Sequence, residues 1–214
     1  MTIRFNKVSE EKQGNIINSA INEFGDKGFD NASTDIIAEN AGIAKGSLFH
    51  YFGSKKNLFL FIVEYCVDLL TNKILNEAEN IQSEDFYERI KDISLIKQKI
   101  IIKYFMHSKI IMEAFVNMPP KIKVDLEKLY LKYYSDSMNF IEDYIVKYMD
   151  VKLLKPSVTK EDAIFVTMTL FDALSKKYTS SYKDKTDELL TNNEDLFKEF
   201  DKYIDIIKYG LYQK

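Results

Sequence analysis

Few residues in this sequence could do covalent chemistry, and they are scattered. The two histidines, His50 and His107, and the single cysteine, Cys66, are too few soft ligands for a structural zinc site. Glu142 and Asp143 are adjacent, so on a helix they point to different sides and cannot work as an acid/base pair. No Ser/His/Asp set, glycine-rich phosphate loop or metal cluster is spaced for catalysis, and these acids read as solvated helix faces. The expectation is a protein without enzyme activity and without a cofactor. Cys66 falls on the apolar face of a long helical stretch and reads as a small buried hydrophobe. A lone cysteine has no resolving partner, excludes an internal disulfide and suits a reducing cytoplasm. What remains is the chemistry of recognition. Lys45-Gly46-Ser47 is a polar run opening a short helix, and a helix in this setting can enter a major groove with its first residues nearest the base edges.

The elements that must position that run are legible around it. Ser33 or Thr34 can cap a short helix over 34–40. Ile37, Ala38 and Ala41 supply its inward face, with Ala38 small enough to let the next helix approach. Gly42 stands where two helices crossing steeply need a residue tolerant of positive φ. Ile43 plugs the corner, and Leu48 and Phe52, four apart, anchor a second short helix over 45–51 to the core. Ahead of both, a helix from about Ser9 to Lys27 is expected, with Ser9 as its cap and Glu10 and Glu11 in the first turn. Ile16, Ile17, Ala20, Ile21 and Phe24 form its apolar stripe, and Gly28 ends it in the left-handed conformation with Phe29 packing back.

Beyond Gly53 the chain changes character. Apolar residues recur at three- and four-residue spacing and nothing alternates as a strand would, so the fold class expected is all-α with about nine helices. The first of these runs from Ser54 to about residue 79, and others are expected at about 86–106, 108–117, 120–149, 160–180 and 193–212. The domain expectation is a helix-turn-helix head over residues 1–53 and a helical body over 54–214. Hydrophobic residues make up 46% and charged residues 29% of the 214, a soluble globular balance rather than a disordered one. No run of about 18 uncharged apolar residues exists, which argues against a membrane span. The N-terminus has no apolar signal core, so the expected location is the cytoplasm. The net charge is −3, and residues 1–58 carry seven basic and seven acidic groups. A phosphate-binding surface must therefore come from local placement, not bulk charge.

The ordered series Phe24-Gly-Asp-Lys-Gly-Phe29, Ser33-Thr34, Ile37-Ala38, Ala41-Gly42-Ile43, Lys45-Gly-Ser-Leu-Phe-His-Tyr-Phe52 and Ser54-Lys55, closed by Leu58, resembles the tetracycline-repressor (TetR) family of transcriptional regulators. The resemblance covers about residues 9–60. It implies that Lys45, Gly46 and Ser47 begin a recognition helix, with Lys45 and Ser47 at base edges and Gly46 allowing close backbone approach. It implies backbone contacts to phosphate from Thr34, Tyr51 and Lys55. Phe49 departs from the family pattern, where a tyrosine is common, and can touch a thymine methyl but cannot donate to phosphate. Lys56 replaces a frequently acidic residue beside Lys55. Arg4, Lys7 and Lys12 are candidates for an N-terminal arm.

The same resemblance implies a homodimer on double-stranded palindromic operator DNA, regulated by a small-molecule effector held in the body. The body is rich in aromatic and methionine side chains, so the effector expected is apolar or aromatic. Candidate pocket residues are Phe61, Tyr65, Tyr104, Phe105, His107, Met112, Phe115, Tyr134 and Met138. The last two long helices are the expected dimer elements, through Ile164, Met168, Phe171 and Leu174 with Leu196, Phe200, Ile204 and Ile207. The alternative is a helical small-molecule or lipid-binding protein whose DNA-binding head has degenerated, a reading kept open by Phe49 and the neutral head.

Overall fold

The computed structural model describes residues 5–181, 186–191 and 194–212, and it is helical throughout apart from short turns and an isolated bridge between Leu154 and Tyr212. Arg4 lies outside the described residues. The α-helices are α1 (Glu10–Asn31), α2 (Thr34–Asn40), α3 (Lys45–Phe52), α4 (Lys55–Ala78), α5 (Phe86–Lys103), α6 (Phe105–Phe115), α7 (Lys123–Tyr144), α8 (Lys160–Ser181), α9 (Thr186–Thr191) and α10 (Glu194–Leu211). They make two compact units. One comprises the chain up to Thr71 with Tyr104–Leu131, the other Asn72–Lys103 with Lys132 onward.

In the first unit, Ile16, Ile17, Ala20, Ile21 and Phe24 of α1 are all buried, as their helical spacing requires. Ser9 makes no side-chain cap, contrary to expectation; its carbonyl only accepts the first-turn bond from Gln13 N–H at 2.9 Å. Gly28 does leave helical geometry, at φ 69° and ψ 172°, and one further turn to Asn31 follows it. Around these helices gather Phe52 of α3, Leu58, Phe59, Ile62 and Cys66 of α4, and Ile110 and Ala114 of α6. Phe5 belongs to the same core, fully buried against the rings of Phe52 and Phe61 at 4.9 and 5.3 Å. Burial with no partner pushes the Cys66 thiol up to about 12, so it stays protonated and inert at neutral pH.

The second unit is organised by two polar clamps on α5. Arg89 is 2% exposed, and its guanidinium donates to the carbonyls of Tyr144, Ser83 and Ile81 at 2.7, 2.8 and 3.3 Å. It also lies 3.6 Å over the Tyr148 ring. Tyr144 is the last residue of α7, where the helix dipole favours a cation. The single helix expected over 120–149 is accordingly broken. A 3-10 turn at Pro120–Ile122 precedes α7, and another at Val146–Tyr148 follows it. Likewise α5 stops at Lys103, and Tyr104 is non-helical, several residues before the break that the sequence suggests.

The second clamp is Asp85. Its carboxylate accepts from the N–H groups of Tyr87 and Glu88, both at 3.0 Å, capping α5. It also accepts from Lys208 Nζ at 3.1 Å and Tyr212 Oη at 2.8 Å, tying α5 to the end of α10. Desolvation opposes its charge, but these bonds outweigh it and hold the Asp85 carboxyl below its ordinary range. A depressed carboxyl stabilises the fold above its unfolded pKa, and that contribution is lost as pH falls through the folded one. Asp85→Asn should therefore cost about 1–2 kcal/mol at neutral pH. In urea denaturation the gap between wild type and variant should narrow below about pH 4.

Candidate nucleic-acid interface

The head is built so that one side of α3 is fixed in the core and the other is left open. Leu48 and Phe52 are 2% and 4% exposed, so they set the roll of this eight-residue helix. Gly42, at φ 65°, makes the corner from α2, and Ile43 N–H then donates to the Ala38 carbonyl at 3.0 Å. The entry to α2 is fixed as well, with Ser33 N–H donating to the buried Glu23 carboxylate at 2.8 Å and the Ser33 hydroxyl capping Ile36 N–H at 3.5 Å.

With that roll set, Lys45 and Gly46 are exposed and Ser47 half-exposed at the start of α3. Ala44, the residue before the helix, offers no side-chain acceptor, so the leading N–H groups are left to an external acceptor such as a phosphate or base edge. Lys45 Nζ is held by Asp35 of α2 at 2.9 Å and lies 6.0 Å from the Phe49 ring centroid. Both partners of that pair are more than half exposed, so exchanging Asp35 for another anion costs little.

Thr34, Phe49 and Lys55 are brought together around one small gap, which Ser54 and the anchors Leu48 and Phe52 also line. Tyr51 stands apart from it, half-buried with its ring 6.0 Å from Phe5. Lys55 Nζ donates to the Asp30 carbonyl at 3.0 Å and lies 5.2 Å over Phe29. Desolvation is the main influence on this amine and lowers its pKa, with Asp30 opposing and Lys121 adding to the effect. Lys56 is turned away toward Asp125, at 3.0 Å. Lys7 and Lys12 are exposed.

Sequence reasoning missed the support that α6 gives the head. The Glu113 carboxylate accepts from Phe29 N–H at 2.6 Å, just after the Gly28 break. A Cβ on Gly25 would come within 2.8 Å of Met106 Cε, so α1 and α6 are in close contact there. Burial pushes the Glu113 carboxyl above its ordinary range, while the Phe29 N–H works the other way. Nothing local in the sequence links residues 84 apart. Phe5 was also missed, although an aromatic residue in so polar an N-terminus was an available signal.

Residues 16–62 match the family model described as bacterial regulatory proteins, tetR family. The biofilm operon icaADBC negative transcriptional regulator IcaR of Staphylococcus aureus is 30% identical over 154 residues, covering 55% of this chain and 81% of that protein. The chain belongs to the TetR family. It is a DNA-binding transcriptional regulator. Two solved structures of TetR-type regulators share its fold. One, from Chloroflexus aurantiacus J-10-FL, has a TM-score of 0.57 at 22% identity and covers 100% of this chain and 99% of that one. The other, from Rhodococcus sp. RHA1, has a TM-score of 0.58 at 13% identity and covers 95% and 97%.

As in other TetR-family members the body is helical, and its aromatic candidates fall in several places. In the first unit, Phe61 packs on Phe5 and Phe52, Tyr65 lies against the same core, and Tyr104 meets His107 edge-on at 5.5 Å. Desolvation lowers the His107 pKa, favouring neutral imidazole. Phe105 lies under Lys109, Met112 is half-buried, and Phe115 meets Tyr130 at 5.6 Å. Tyr134 and Met138 are exposed on α7. The second unit contains a cavity of about 250 Å³, and none of these nine residues lines it.

Four of the eight expected dimer residues, Ile164, Met168, Phe171 and Phe200, line that cavity. Leu174, Ile204 and Ile207 are buried within the protomer, and Leu196 is half-buried. The apolar surface that α8 and α10 present outward is Phe165, Val166, Ile206 and Tyr209, with Phe165 71% and Tyr209 74% exposed. No helix among the described residues is long and apolar enough to cross a membrane.

The geometry at Gly46 separates folding from binding. A Cβ there meets nothing within 4 Å. Gly46→Ala should therefore leave the head as stable, or more stable by about 0.5–1 kcal/mol, through helix propensity alone. Where the family resemblance puts Gly46, against the groove, a methyl should nevertheless cost about 1–3 kcal/mol of operator affinity. Thermal melting and a DNA titration on the same preparation check the two halves.

Proposed function

We propose that this protein is a ligand-responsive repressor that acts as a homodimer on a palindromic operator. The observation that carries it is the open start of α3, where Lys45, Gly46 and Ser47 project from a helix locked by Leu48 and Phe52. A helix presented this way has no packing use for a lysine and a serine, and it suits the major groove. Repression is supported by similarity to IcaR, whose name describes a negative regulator. In this reading Lys45 and Ser47 contact base edges and Phe49 a thymine methyl. Thr34, Tyr51 and Lys55 hold phosphates and set the register.

Two heads must reach successive major-groove faces, roughly 34–36 Å or a multiple apart. We place the dimer contact on the outward residues of α8 and α10, since Phe165 and Tyr209 are the most exposed large apolar side chains on those helices. Residues 1–53 act as the DNA-binding head, and residues 54–214 carry the effector and the dimer contact. Effector binding favours a head spacing that no longer fits the operator, a population shift carried through α4. The Glu113–Phe29 bond gives α6 a second hold on the head.

A mobility shift on the protein's own upstream DNA tests the reading. Retardation should weaken as salt rises, and Lys45→Ala and Ser47→Ala should each lose about 1–3 kcal/mol of affinity. Unchanged binding by both variants sinks the base-reading assignment. Absence of any shift by a wild type that still binds small molecules favours a degenerate head instead. Separately, Phe165→Glu should shift sedimentation from dimer to monomer and weaken operator binding in parallel, without lowering the protomer's helicity.

A further inference from the structure

The cavity of the second unit has apolar walls, including Ile93, Ile145, Met168 and Phe171. Its polar residues are Ser94, Thr167 and Lys97. The two hydroxyls already donate to their own helices, Ser94 to the Ile90 carbonyl at 2.8 Å and Thr167 to the Ala163 carbonyl at 2.7 Å. That leaves Lys97 as the lining side chain with donors to give.

Three other lysines of this unit are paired with acids, whereas Lys97 is the lysine that lines the cavity. Lys91 pairs with Asp205, Lys208 with Asp85 and Glu88, and Lys177 with Glu199. No carboxylate among the described residues pairs with Lys97, and its nearest helical neighbours are Ile93, Ser94, Ile100 and Ile101. Its ammonium lies 5.7 Å from the Phe140 ring centroid. Although the residue is exposed by area, desolvation beside the apolar wall lowers its pKa. An exposed ammonium with no carboxylate partner, standing at the mouth of an apolar cavity, is placed to take the charged head of an anionic ligand whose tail lies inside.

We propose that this cavity takes a medium-chain monocarboxylate, with its tail inside and its carboxylate on Lys97, and that such an acid is the effector. The identification rests on the reading of the body as an effector-binding domain. One ammonium and no other free donor suit a monoanion, not a phosphate dianion or a sugar. At about 30 Å³ for each water-sized group, the cavity holds roughly eight methylene-sized groups. A sixteen-carbon chain is too long for it.

Calorimetric titration of the full-length protein with octanoate, octanol and palmitate tests this. Octanoate should bind saturably at one site per protomer, more tightly than octanol, while palmitate should not reach the site. Lys97→Met should weaken octanoate by at least about tenfold and leave octanol unchanged. Met168→Trp, which fills the cavity, should abolish both. Failure of octanoate to bind wild type, or equal octanoate binding by wild type and Lys97→Met at matched melting temperature, overturns the site. A mobility shift with octanoate present then separates the two readings. Binding that leaves operator affinity unchanged keeps the site and removes only its role as the effector pocket.

Discussion

An eight-residue helix has no stability of its own in water, because the cost of nucleation is not recovered over two turns. α3 exists because Leu48 and Phe52 are buried and because Gly42 turns the chain in a conformation other residues resist. Those same contacts fix its rotation, and the rotation decides which side chains meet solvent. Lys45, Gly46 and Ser47 thus face outward as a consequence of what faces inward. The rest of the first unit serves this arrangement. Phe5 closes the core from the N-terminal side, Glu23 fixes the start of α2, and α6 braces α1 through Met106 and Glu113.

The placed charges bear on how residues 1–58, with no net charge, can serve an anionic partner. Asp35 holds Lys45, and the Asp30 carbonyl holds Lys55. The exposed Lys45–Asp35 pair is worth about 0–1 kcal/mol, so another anion can displace it. Asp35 also neutralises Lys45 when no other anion is near, which limits unspecific attraction to polyanions. Fewer phosphates engaged means weaker salt dependence than a strongly basic head would show.

The sequence made the head legible because its determinants are local. Gly28 and Gly42 take the positive φ that their positions imply, and the buried face of α3 follows from two residues four apart. The body was legible only as a set of helices. A helix such as α8 carries apolar residues around much of its circumference. Period alone cannot tell which stripe faces the protomer's core, which faces a cavity and which remains outside. Ile164 and Phe171 line the cavity while the neighbouring Phe165 is exposed, and the helical period does not separate the two. The aromatic count has the same limit, since abundance marks apolar walls but not where they leave a space. Lys97 was invisible because its meaning lies in a missing partner, and long-range partners cannot be read along the chain.

The burial of Cys66 has a use beyond packing. Its thiol is shielded in the unit that contains the head, so a thiol reagent can reach it only when that unit opens. The modification rate under weak-reagent conditions reports the free energy of that opening, much as amide exchange does for a backbone N–H. DNA that binds only the closed form would slow the reaction by an amount set by its concentration and affinity. A molecule seated in the other unit would alter the rate only to the extent that the two units are energetically linked. One native sulfur atom thereby measures inter-unit coupling without any label being introduced.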